Sequence, residues 1–144
     1  MGSASLSLLD THCLVWYLNG DTRMGPKTRA RIEAEWGSGS GAAGIAAMTL
    51  WEIAMLVSKG RLSVGQDLGR WFAWLLGDGG MRLLALDARV AVDSVSLPGS
   101  FHSDPSDRLI VATARCHDMP LLTADRAILA YGAQGHVQAI DATL

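Results

Sequence analysis

The sequence predicts an α/β fold, a three-layer α/β/α sandwich around a central, mostly parallel sheet of four or five strands. Two observations carry that reading. Short apolar runs of strand length alternate with longer helical segments, and parallel neighbours need crossovers of that kind. In Asp104-Pro105-Ser106-Asp107, an aspartate followed by proline marks a helix start. The residues behind it, Leu109, Ile110, Val111, Ala112 and Ala114, are apolar almost all round, as in a helix buried on most sides. The 144 residues are read as one domain, 1–144, with residues 1–4 set apart as an added or disordered lead-in.

In chain order, residues 6–9 form a first strand closed by Asp10, and 11–17 a first helix ended by the turn signal Asn19-Gly20-Asp21. Pro26 opens an exposed, charged second helix through Trp36, whose basic half is either a solvated face or a phosphate contact. Residues 37–44 are glycine-rich but too short for a domain linker, and 43–47 give a weak, small-residue second strand. Thr49-Leu50-Trp51-Glu52 has capping-box spacing, which places Glu52 in the first turn of a third helix closed by Lys59-Gly60. Residues 63–76 carry the stripe Leu68, Trp71, Phe72, Leu75 and Leu76 of a fourth helix. Residues 81–86 form a third strand, 87–95 a short helix, and Leu97-Pro98-Gly99 a turn into the helix at Pro105. The fourth strand is 121–123, followed by a helix from Asp125 through Ala130, and 137–140 give a last strand.

Composition bounds the function. A formal charge of −2 argues against holding nucleic acid by bulk basic charge, though not through bound metal. No apolar run is long enough for a bilayer and no secretory signal is present, so a soluble, cytoplasmic protein is expected. Cys13 and Cys116 are read as reduced core residues.

In a parallel sheet the C-terminal ends of the strands share one edge, where ligands bind. Asp10 and Asp125 directly follow strands, and Glu52 and Asp107 start helices entering from that edge. Singly, Asp10 and Asp125 read as N-caps, Glu52 as the capping-box partner of Thr49, and Asp107 as a first-turn charge facing the helix dipole. Together they repel one another unless a cation sits among them. Oxygen ligands, without a Cys or His cluster at zinc spacing, suit Mg²⁺ or Mn²⁺.

Several stretches also resemble a known family in order and spacing. They are Leu8-Leu9-Asp10-Thr11-His12, Thr49-Leu50-Trp51-Glu52-Ile53-Ala54, Lys59-Gly60-Arg61-Leu62, His102-Ser103-Asp104-Pro105-Ser106-Asp107-Arg108-Leu109-Ile110 and Leu122-Thr123-Ala124-Asp125. The chain resembles a PIN-domain ribonuclease, more specifically the VapC-type toxin of a type II toxin–antitoxin pair. The resemblance implies a PIN-like sandwich and a Mg²⁺- or Mn²⁺-dependent endoribonuclease whose acidic quartet is Asp10, Glu52, Asp107 and Asp125. Asp10 and Asp107 are expected as direct ligands, Asp125 as a ligand directly or through water, and Glu52 as ligand or acceptor for the attacking water. Thr11, Thr49 and Thr123 are expected to hold waters or orient carboxylates, Asp104 to cap its helix, and Arg108 to offset the acids, touch phosphate or form an outward ion pair. The resemblance further implies an RNA substrate, a VapB-like antitoxin and a homodimer to which the helix at 63–76 contributes.

Three other readings compete. His12 and His102 flank the acids and would suit metal-free acid–base cleavage, which leaves the four carboxylates without a role. Asp10 could serve as a phosphatase nucleophile, but position 12 is histidine rather than the second acid such an enzyme needs. A catalytically silent PIN-like module would bind a partner only, and would have no need of all four acids.

Overall fold

A computed structural model describes residues 6–36 and 43–144, so residues 1–4 and most of the glycine-rich stretch fall outside the description. The elements are β1 (Leu8–Leu9), α1 (Thr11–Asn19), α2 (Pro26–Trp36), β2 (Gly44–Ala46), α3 (Ala47–Ser58), α4 (Leu68–Leu76), β3 (Arg82–Leu84), α5 (Ala88–Val95), α6 (Pro105–Cys116), β4 (Leu121–Thr123), α7 (Arg126–Ala133) and β5 (Ala139–Asp141). The five strands are all parallel, in the order β3-β2-β1-β4-β5. From β1 the chain builds outward through β2 to β3, then returns to the far side of β1 for β4 and β5. The direction of winding therefore reverses between β1 and β4, which leaves a crevice at the carboxyl ends of those two strands.

Alternation along the strands makes the three layers. Leu8, Ala46 and Leu121 pack with Leu84, Ile110, Val111, Ile128 and Tyr131 on one face; Leu9, Ile45 and Leu122 pack with Leu14, Ile32, Ile53 and Leu75 on the other. Because successive side chains point to opposite faces, β1, β2 and β4 each supply both cores. Four of the strand leucines, Leu8, Leu9, Leu121 and Leu122, are fully buried, each contributing about 1.5–3 kcal/mol. That burial fixes the two strands bordering the crevice.

The small residues of β2 follow from its place beside β1 and β3. A Cβ on Gly44 would sit 3.3 Å from the Met119 methyl and 3.5 Å from the Arg82 carbonyl oxygen. The turn after α1 forms as expected, with Gly20 in the left-handed region at φ 62°.

Several boundaries differ from expectation. Helix α3 starts at Ala47, directly out of β2, with Ala46 at its N-cap and no side-chain cap. Thr49 and Glu52 therefore form no capping box, and Glu52 lies in the second turn. Helix α4 starts only at Leu68, capped by Asp67, whose carboxylate accepts from the Arg70 amide. The segment before it turns through Gly65 at φ 74°, a conformation that ends helical continuity. Helix α7 runs one turn further than expected, and β3 and β5 are each three residues long. Among the described residues no helix is long and apolar enough to cross a membrane. Cys13 and Cys116 are free thiols, each pushed up chiefly by burial, which suits inert packing residues.

Candidate active site

Asp10 is placed by the sheet itself. Its amide donates to the Leu122 carbonyl at 3.0 Å, so its backbone still belongs to the β1–β4 ladder while its side chain caps α1. One carboxylate oxygen accepts from the Thr11 amide at 2.8 Å, and the other from the Thr123 hydroxyl at 2.8 Å. Asp10 is only 5 % exposed, yet both oxygens have donors. The Thr123 oxygen in turn accepts from the Asp125 amide at 3.0 Å, so one hydroxyl ties the ends of β1 and β4 together. Asp125 caps α7 through the Ile128 amide, as expected.

Glu52 reaches the site by a tertiary route rather than as a cap. The Thr11 hydroxyl donates to Glu52 Oε1, and Thr11 Oγ1 lies 3.0 Å from Thr49 Oγ1. A hydroxyl has one proton, and that of Thr11 goes to Glu52, so Thr49 donates to Thr11. The Thr49–Thr11–Glu52 chain thus runs from the fully buried start of α3 to a carboxylate at the groove.

At the start of α6, Asp104 caps the helix by accepting from the Asp107 amide at 3.0 Å, with Pro105 in the first turn. Asp107 stands in that turn. Its carboxyl is pushed up to about 7, first by burial and then by Asp10, Asp125, Asp104 and Glu52. All four quartet acids line one groove of about 440 Å³, together with Thr11, His12, Trp16, Arg23 and Arg61. Among the described residues, no lysine or arginine forms an ion pair with any of the four. Arg23 is held by Asp21 through a bidentate pair and lies over the Trp16 ring.

Arg108 is not brought to the acids. Its guanidinium donates to the carbonyls of Ser94, Phe101 and His102 at 2.8–3.1 Å, so it neither offsets the quartet nor forms an outward ion pair. Its place beside Asp107 in sequence is misleading because consecutive helical residues point about 100° apart.

Sequence reasoning treated the two histidines as a competing catalytic pair and missed the part they play among the acids. His12 Nε2 accepts from the Ala124 amide at 2.8 Å, and its Nδ1 lies 3.7 Å from Asp10. His102 Nε2 lies 3.2 Å from Asp107 Oδ2. One ligand atom each of His102, Asp107 and Asp125 lies within 4.8 Å of the other two. The available signal was the recurrence of a histidine within five positions of an acid, too common a spacing to single out.

The donor set suits a hard divalent cation: four carboxylates with two adjacent imidazoles, no thiolate and, among the described residues, no lysine or arginine paired to them. The upward shift of Asp107, due first to burial and then to the four neighbouring acids, is in keeping with this.

Comparison with known proteins places this geometry among relatives. The PIN domain family profile matches residues 7–133. The chain is 31 % identical over 121 residues to Ribonuclease VapC22 of Mycobacterium tuberculosis, which covers 84 % of this chain and 88 % of that protein. VapBC2 of Rickettsia felis, solved bound to a DNA fragment from its promoter, superposes with a TM-score of 0.66 at 15 % identity, over 94 % of this chain and 97 % of that one. DNA-bound VapBC of Salmonella typhimurium gives a TM-score of 0.65 at 16 % identity, over 96 % and 98 %. A toxin–antitoxin complex from Klebsiella pneumoniae gives 0.62 at 18 % identity, over 94 % and 96 %. At these identities the solved structures speak for the fold.

Proposed function

The chain belongs to the PIN-domain family, a nuclease family acting on phosphodiester bonds, and from that premise we propose that it is a Mg²⁺- or Mn²⁺-dependent endoribonuclease, the toxin of a VapBC-type pair. The observation that carries the reading is the convergence of Asp10, Glu52, Asp107 and Asp125 on one groove with, among the described residues, no lysine or arginine paired to them.

When bound, the divalent cation supplies Lewis acidity, lowering the pKa of a water and neutralising charge on the scissile phosphate. The chain supplies position. Asp10, with both oxygens already fixed by Thr11 and Thr123, presents a pre-ordered carboxylate edge. Asp107 and Asp125 face it as further ligands. Glu52, held through Thr11 and Thr49, accepts the proton of the attacking water or completes the ligand set. Arg61 on the groove rim is the cation available to a neighbouring phosphate of the substrate.

The partners follow from the same reading. The structural neighbours include toxin–antitoxin complexes, which supports a VapB-like antitoxin laying a segment across this groove and sending a basic side chain towards the acids. A homodimer belongs to the proposal too, supported by Trp74 of α4, which is 43 % exposed. A cytoplasmic location fits an RNA substrate.

The test is cleavage of a structured and an unstructured RNA by purified protein in Mg²⁺, Mn²⁺ or EDTA, beside Asp10→Asn prepared identically. Cleavage that needs the metal and is lost in the variant is the expected result. Cleavage surviving both EDTA and the substitution overturns it.

A further inference from the structure

We propose that His102 is a positioning residue of this site: its imidazole, with Nδ1 held by the Asp104 amide and Nε2 turned to the acids, fixes the Asp107 carboxylate in the orientation that receives the cation. The inference rests on the quartet being a cation site and goes beyond it by adding a fifth side chain with a defined role.

The tautomer is set by the backbone. The Asp104 amide donates to His102 Nδ1 at 3.3 Å, so Nδ1 carries a lone pair and the ring proton resides on Nε2. Nε2 lies 3.2 Å from Asp107 Oδ2. Asp104 therefore serves twice, its carboxylate accepting from the Asp107 amide while its own amide orients the ring that holds the Asp107 side chain.

The ring is also held by packing. Phe101 stacks on His102 with centroids 4.3 Å apart, and Phe101 in turn rests against Tyr131, which is 1 % exposed. The main chain is tied down by Arg108, whose Nη1 donates to the carbonyls of Phe101 and His102 at 3.0 and 3.1 Å. Arg108 follows Asp107 on the same helix, so the loop carrying His102 moves with the carboxylate it holds. Residues 101–108 thus form one unit in which a stacked ring, a cap and an arginine serve the placement of a single oxygen.

Direct ligation by His102 is the rival role, since its ligand atom lies within 4.8 Å of Asp107 and Asp125. It would need the lone pair on Nε2 and the proton on Nδ1, which would turn Nδ1–H against the Asp104 N–H. The observed bond would be lost and two donors left facing each other. The imidazole therefore acts through Asp107, from outside the coordination sphere.

The experiment is a Mn²⁺ titration of the intact protein followed by electron paramagnetic resonance, with His102→Gln, His102→Asn, His102→Phe and Asp107→Asn. Gln can place an amide N–H where Nε2 stands; Asn is too short to reach Asp107, and Phe keeps the stack without a donor. Mn²⁺ binding about 10–100-fold weaker in the Phe and Asn variants, restored to within a few-fold by Gln, with no directly bound nitrogen seen in the wild-type spectrum, is the expected pattern. Wild-type affinity in both Phe and Asn variants overturns the role, as does a nitrogen ligand signal that vanishes with His102. Wild-type affinity in Asp107→Asn would instead sink the underlying cation site, so the two failures are told apart.

Discussion

The two ends of α6 carry opposite charges in the places a helix dipole favours, and only one end is neutralised. At the C-terminal end Arg115 donates to both oxygens of Asp93, at 2.9 and 3.3 Å, and to the His136 carbonyl. At the N-terminal end Asp107 sits in the first turn with four acids acting on it and, among the described residues, no lysine or arginine paired to it. Dipole interactions are worth about 0.3–1 kcal/mol at either end, so they cannot account for the contrast. Neighbours account for it. One end is arranged to satisfy the chain, the other to be satisfied from outside it.

The sharpest way to break this contrast is to neutralise one acid at each end. Asp107→Asn is expected to lower RNA cleavage by more than about 100-fold, because even outer partners of metal ligands cost about 10–100-fold. Asp93→Asn is expected to cleave near the wild-type rate. Initial rates at saturating Mn²⁺ measure both, and equal losses would erase the distinction.

Stability should respond the other way round. Arg115→Ala leaves Asp93 and the His136 carbonyl without their donor and should cost about 1–3 kcal/mol in denaturant unfolding, with cleavage retained. Asp107→Asn removes a charge that its neighbours oppose, so without metal at pH 7 it should be no less stable than the wild type.

Stability should also depend on pH. The folded-state pKa of Asp107 is raised to about 7 from 3.8, so between about pH 4 and 7 the folded protein holds a proton the unfolded chain has lost. Metal-free stability should therefore fall as pH rises through that window and level off above it. Thermal melts across pH should show the fall in the wild type, a shallower one in Asp107→Asn, and recovery on adding Mn²⁺ at pH 7 and above.

Much of this was legible in the sequence, and the failures are instructive. Asp10, Asp104, Asp107 and Asp125 were readable because each also does local work as a cap or first-turn residue, and local work leaves a local pattern. Glu52 lines the groove, but from the second turn of α3 and not as the partner in a capping box. No capping box exists, and what fixes Glu52 is a hydroxyl chain from Thr49 through Thr11 that spans 41 positions. Spacing rules do not reach across two elements. Arg108 was left open between the acids, a phosphate and an outward ion pair, and sequence adjacency could not show that its guanidinium is taken by loop carbonyls. His102 had no readable pattern, because its tautomer depends on one amide that only the folded loop brings to it.

The hydroxyl of Thr123 that bonds Asp10 also sets a timetable. These two residues lie 113 positions apart, and β1 pairs with β4 only after nearly the whole chain exists. At roughly 5–20 residues per second, a ribosome carries Asp10 for several seconds before its partner is made. Throughout that interval the acids are strung along an unfinished chain with no groove to share. The complete acidic groove therefore exists only once the fourth strand has slotted in beside the first.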